Sequence, residues 1–129
     1  MGLYNFRQRF APFILSGRKR HTIRARRKNP DVVGNIAHCY TGLRTKHTTL
    51  LGRWPVVRVE DIEIEGDEIS GAHRVFVAGV EFDESEREKL ARLDGFRDFA
   101  DFAGFWKGRL PFTGQIVHWK FTKGKQRRA

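Results

Sequence analysis

The chain of 129 residues holds one cysteine, Cys39, one methionine and four prolines, and it carries no acidic residue before Asp31 or after Asp101. A lone thiol excludes an internal disulfide and fits a reducing compartment. No apolar run approaches the roughly 20 residues that a membrane-crossing helix needs. The N-terminus reaches Arg7 and Arg9 without an apolar signal segment. The expectation is a cytoplasmic protein with no membrane partner. The five histidines (21, 38, 47, 73 and 118) and Cys39 show no HxxxH or CxxC spacing, and His38 and Cys39, adjacent on a strand, would point to opposite faces. No metal and no other cofactor is therefore expected.

What the chain does have is positive charge, unevenly spread. The net charge is +10. Residues 1–58 hold 13 basic and one acidic residue, 59–106 hold 5 and 14, and 107–129 hold 7 and none. One positive and one negative face follow from that segregation. Nine of the first 28 residues are Arg or Lys, densest in Gly17-Arg18-Lys19-Arg20-His21-Thr22-Ile23-Arg24 and the following Arg26, Arg27 and Lys28. Ile14, Leu15 and Ile23 interleave with this run, so it belongs to a folded element on a surface or cleft. Folded positive charge is suited to a polyanion, with RNA the first candidate and DNA not excluded. Eleven phenylalanines and three tryptophans argue for a packed core.

The pattern predicts one α+β domain over 1–122 and a frayed basic tail over 123–129. Leu3–Phe6 reads as a strand, Phe10–Ile14 as a short helix closed by Gly17, and His21–Arg24 as a strand that turns His21 and Ile23 to the core and Thr22 and Arg24 to a cleft. Ile36–Tyr40 and the Val57–Ile64 alternation read as strands, the latter with a bulge near Glu60-Asp61. Gly66-Asp67 reads as a turn, Val75–Phe82 as one strand, Asp83 as a helix start, Arg97–Trp106 as a second helix and Gly114–Phe121 as the last strand. The helical spacing of Phe96, Phe99, Phe102, Phe105 and Trp106 predicts core packing, as does the alternation of Trp119 with Val117.

Three segments carry a resemblance. Phe13–Lys19 with Thr22-Ile23-Arg24 resembles the first signature of ASCH domains, the family similar to the C-terminal part of activating signal cointegrator 1. Tyr40-Thr41-Gly42-Leu43-Arg44-Thr45-Lys46 resembles a segment of its bacterial and phage-like branch. Asp94-Gly95-Phe96, an aromatic helix, then Pro111-Phe112-Thr113-Gly114 and Val117-His118-Trp119 resemble its second signature. The resemblance implies a PUA-like small β-barrel of about six strands with flanking helices, and RNA binding in a positive cleft. Some members cleave RNA, and one bacterial group hydrolyses N4-acetylcytidine and related N4-acylcytidines. That group's lysine and threonine fall on Lys19 and Thr22, and its glutamate corresponds to Asp94. The chain departs from those amidohydrolases at Arg20-His21, where they carry neutral residues, and at Asn35, where they carry aspartate.

The residues support three functions. Arg18, Lys19, Arg20, Arg24, Arg26, Arg44 and Lys46 can grip phosphates while Tyr40 and Trp54 stack on bases, as single-strand recognition requires. Tyr40, Lys46, His47, Lys19 and Arg44 can supply the acid, base and cations of metal-independent ribonuclease chemistry. Thr22 can attack an amide carbonyl if a neutral Lys19 takes its proton and Asp94 orients the lysine. In the alternative, Lys19 and Arg24 hold phosphate and Thr22 merely hydrogen-bonds within the turn.

Overall fold

A 19-residue strand, Thr49–Asp67, organises the molecule in a computed structural model that describes residues 2–123. Around it, among the described residues, lie seven strands and three α-helices in an α+β arrangement. In chain order they are β1 (Gly2–Phe6), a 3-10 turn (Gln8–Phe10) running into α1 (Ala11–Leu15), β2 (His21–Ala25), β3 (Ile36–Thr41), β4 (Thr49–Asp67), β5 (Gly71–Val77), β6 (Val80–Glu81), α2 (Glu84–Leu93), α3 (Phe99–Phe105) and β7 (Phe112–Trp119). Lys125, Arg127 and Arg128 of the expected tail lie outside the described residues. No described helix is long and apolar enough to cross a membrane.

β4 serves three partners in turn. Thr49–Pro55 pairs with β3, Val56–Ile64 with β7 and Ile62–Asp67 with β5, all antiparallel. β1 joins parallel to β3, β2 antiparallel to β7, and β6 antiparallel to β5. A register shift between Val56↔Trp119 and Arg58↔His118 re-aims the strand. It sits at Val57 and not at the expected Glu60-Asp61. Val56 thereby faces the same side as Trp119, while Ile62 and Ile64 serve the other core layer, with Val57 left exposed.

The strands form an open sheet and do not close into the expected barrel, because β1 and β2 share no ladder. Arginine side chains occupy the seam. Arg24 Nη2 donates to Asn5 O (2.8 Å) and Arg27 Nη2 to Leu3 O (2.6 Å). Those carbonyls are two residues apart on one edge of β1, so guanidinium groups supply the donors that a neighbouring strand would have given.

Two further expectations shift. The chain does not run straight from Val75 to Phe82: Ala78 (φ +51°) and Gly79 (φ +80°) make a two-residue hairpin turn between β5 and β6. Positive φ at both positions is what the twist of a tight hairpin demands. Gly66-Asp67 is still strand, and the turn follows it, with Asp67 accepting from the Ile69 and Ser70 amides. The helices start as their sequence signals require. Asp83 and Glu86 form a reciprocal capping box on α2, and Asp98 caps α3.

Candidate functional site

The seam between β1 and β2 opens into a cleft of about 370 Å³ lined by Asn5, Phe6, Arg7, Phe10, Lys19, Thr22, Ile23, Arg24, Ala25, Asp94, Phe96, Phe105, Trp106, Arg109 and Phe112. Strand periodicity puts Thr22 and Arg24 on this side of β2, and His21 on the other, opposite its cross-strand partner His118. α1 ends at Ser16, and Gly17 (φ +82°) lets the chain reverse with Lys19 N–H donating to Phe13 O (2.9 Å). That reversal drives Lys19 inward instead of to solvent. Asp94 arrives from the C-terminal end of α2, where it is the helix's last cap.

Lys19 and Asp94 meet with side chains only 4% and 8% exposed. The Lys19 ammonium donates to Asp94 Oδ1 (2.5 Å) and to the Asp94 carbonyl (2.7 Å). It also lies 5.3 Å from the Phe10 ring centre and 5.8 Å from that of Phe6, so ring faces supply part of the missing hydration. Burial depresses the Lys19 pKa, and the Asp94 charge opposes that without reversing it. For Asp94, burial pushes the carboxyl upward, but the Lys19 charge and His21 outweigh it and the net shift is down. The carboxylate is thus ionised against a lysine poised below its ordinary range. His21 Nε2 is also 3.0 Å from Asp94 Oδ1, at ion-pair distance but without the alignment of a hydrogen bond.

Thr22 is buried in the same cleft, its Oγ1 accepting from Arg24 Nε (2.8 Å). Arg24 in turn stacks over Phe6 (4.9 Å) and Tyr4 (5.3 Å). One guanidinium therefore orients the threonine hydroxyl, closes the β1 edge and packs on two rings. Tyr4 is anchored by its hydroxyl donating to Asp31, and its pKa is pushed up by burial first and by that carboxylate second.

Other candidates sit elsewhere. Trp54 does not face solvent: it is 2% exposed, stacks on Trp119 with ring centres 6.1 Å apart and donates Nε1–H to Thr122 O. Its even position in β4 puts it on the Val56 face, inside the core. Tyr40 is half-buried on β3 and does not line the cleft. Arg44 and Lys46 are exposed on the Gly42–Thr48 turn. That turn is tied to the cleft edge by Leu43 N–H donating to Asn5 Oδ1 (2.9 Å). The structure does not gather Tyr40, Arg44, Lys46 and Lys19 in one pocket. Arg26 is exposed and faces Asp61 at 3.6 Å. Arg18 and Arg20 point to a separate cavity behind β2. Among the described residues no three His, Cys, Asp or Glu side chains gather as metal ligands do.

The cleft also contains residues that sequence reasoning set aside. Phe96, Phe105 and Trp106 belong to the aromatic stripe assigned to the core; Phe96 and Trp106 are buried in it and Phe105 packs against it, and the three also line the cleft. Asn5, Arg7 and Arg109 had no motif to mark them. No protein-family model, curated protein or solved structure matches the chain.

Proposed function

We propose that this is a cytoplasmic RNA-binding protein that takes one unstacked nucleobase of a single strand into the cleft between β1 and β2. The observation that carries the reading is the combination in that cleft: room for a base, aromatic walls from Phe6, Phe105, Trp106 and Phe112, and cations at Arg7, Arg24 and Arg109. A flat π-face satisfies any base, and the exposed guanidinium groups of Arg7 and Arg109 meet the flanking phosphates. The basic turn carrying Arg44 and Lys46, held at Asn5, extends the positive rim. The resemblance to ASCH domains supports the same reading, with the open sheet taken as a PUA-like barrel unsealed at its ligand seam.

A second reading, amide hydrolysis on an N4-acylated cytosine, is favoured by Lys19, Thr22 and Asp94 lining one cleft. Thr22 Oγ would attack the acyl carbon and lose its proton to Lys19 in the amine form. Lys19 would return that proton to the departing cytosine amine, and water would release the acyl group from threonine as a carboxylic acid. Burial of Lys19 moves it towards the amine it must be. Asp94 Oδ1 fixes its direction, and Arg24 stabilises the developing threonine alkoxide.

Incubation with an eight-nucleotide single-stranded RNA carrying one N4-acetylcytidine tests both. Anisotropy read across salt should show binding that weakens steeply, and intact mass should show loss of the acetyl group alone. Thr22→Val should retain binding and lose deacylation. Affinity that is flat in salt would remove the polyanion reading. An unchanged mass would leave binding without amide hydrolysis.

A further inference from the structure

β2 has a second ligand-sized space on its other side. Between β2, β7 and α2 lies a groove of about 880 Å³, bordered by Arg18, Arg20, Arg58, Lys89, His21, His118, Glu60 and Glu86 over an apolar floor. The floor includes Phe82, Leu90, Ile116 and Leu93, and Leu93, the last residue of α2, is 43% exposed although its neighbours Leu90 and Ala91 are buried. The two acids are already engaged. Glu60 receives Arg58 (2.9 Å) on one oxygen and His118 Nε2 (2.9 Å) on the other. Glu86 accepts the Asp83 amide in the capping box. Arg18, Arg20 and Lys89 form no ion pair with an acid among the described residues: Arg18 lies over the Phe13 ring and Arg20 donates to Gly17 O. Three cations therefore ring an apolar floor whose Glu60 is ion-paired, and they outnumber the remaining carboxylate, Glu86. The His118 imidazole, fixed by Glu60, and the half-buried Phe82 offer flat surfaces beside them.

We infer that this groove is a second nucleotide subsite, taking the base of a neighbouring nucleotide against Phe82, His118 and Leu93 and its phosphate on Arg18, Arg20 and Lys89. The inference rests on the RNA reading and extends it to the opposite face of β2. Neighbouring residues of one segment line the two spaces, Lys19 and Thr22 the cleft and Arg18, Arg20 and His21 the groove, so a strand whose base enters the cleft would meet Arg18 and Arg20 on its way to the groove. Asp94 joins the two spaces chemically, because its Oδ1 meets Lys19 of the cleft and His21 of the groove. A nucleotide in the groove is thus one shared carboxylate away from the lysine.

The test uses the full chain. Histidine ring resonances are followed while cytidine 5′-monophosphate is added, and affinity for an eight-nucleotide single-stranded RNA is measured across salt for wild type and Arg18→Gln/Lys89→Gln. Both substituted residues are exposed, so folding should survive and circular dichroism checks it. Expected are a shift of the His118 ring with the nucleotide, and for the variant a tenfold weaker RNA affinity with a salt slope shallower by about 1.4, at roughly 0.7 per phosphate contact on a single strand. Wild type that binds RNA with unchanged affinity and slope in the variant would overturn the subsite while leaving the cleft reading intact. Wild type that binds no RNA would end both. An oligoglutamate that moves the His118 ring as strongly as the nucleotide would also overturn it, since charge alone would then be recognised.

Discussion

Removal of the Asp94 carboxylate is the sharpest perturbation that the structure offers. Among the described residues Lys19 pairs with no other acid, and its side chain is almost fully buried. Asp94→Ala would leave an ammonium between the Phe6 and Phe10 rings with only the residue-94 carbonyl as acceptor. Breaking a buried pair by removing one partner costs about 3–5 kcal/mol. With a urea slope of about 2 kcal/mol/M, the midpoint should fall by roughly 2 M. Replacing both partners, Lys19→Met with Asp94→Leu, removes both desolvation penalties, so the double variant should lose less stability than Lys19→Met and Asp94→Leu lose added together. Urea unfolding at neutral pH measures all four corners of the cycle. A loss below about 1 kcal/mol for Asp94→Ala, or a double variant no more stable than the sum of the singles, would refute the buried pair as the organiser of the cleft. The pH dependence has a definite sign. Asp94 titrates lower when folded, so its contribution is complete above the unfolded carboxylate value of about 3.9 and is lost as pH falls through the depressed one. Asp94→Asn should therefore start less stable yet show a flatter acid limb. Lys19, also depressed, acts oppositely on the alkaline side: its contribution rises as pH climbs through its folded value towards about 10.4.

Cys39 is fully buried on β3 and its thiol is pushed up to about 12 by burial, with Arg24 and Lys19 opposing. It should resist a thiol-reactive disulfide reagent at pH 8 in the native state and react at once in urea; prompt native reaction would contradict its burial. A raised thiol favours folding below the unfolded value of about 8.5, so its stabilisation should fade as pH rises from there towards 12. Trp54→Ala should cost about 3–5 kcal/mol in thermal or urea unfolding, while Trp54→Phe should leave RNA affinity unchanged, because the ring contacts core and not ligand. A specific loss of RNA affinity in Trp54→Phe would return that residue to the interface. Gly17→Ala should destabilise by more than about 1 kcal/mol, since a β-carbon there adopts positive φ and meets the Phe121 ring at 2.6 Å; wild-type stability in urea would contradict the turn geometry.

Much was legible because local rules carry it. Alternation placed β1, β2 and β3 and turned Thr22 and Arg24 to one side of β2. Gly17 and Asp83 marked a helix end and a helix start, and the charge imbalance pointed to a polyanion. Burial of one cation within the basic run was not legible. The resemblance set Lys19 with Asp94, 75 residues away, but nothing in the residues around Lys19 marks it for the interior while Arg18 and Arg20 stay exposed. The same holds for Trp54, whose place beside Arg53 and Pro55 suggested exposure while its register against Ala37 sends it inward. Periodicity states which residues share a face, not which face water reaches. Hence the Phe96–Trp106 stripe was correctly seen as core, while its additional place along the cleft was not. The sequence by itself determined an α+β chain with segregated charge, a short basic turn and an aromatic helix. Only the tertiary structure decided that β1 and β2 stay apart, that arginines occupy their seam, and that Lys19 pairs with Asp94, buried, in the cleft that Thr22 also lines. Those outcomes depend on long-range pairing and on desolvation, and neither is encoded within any one window of residues.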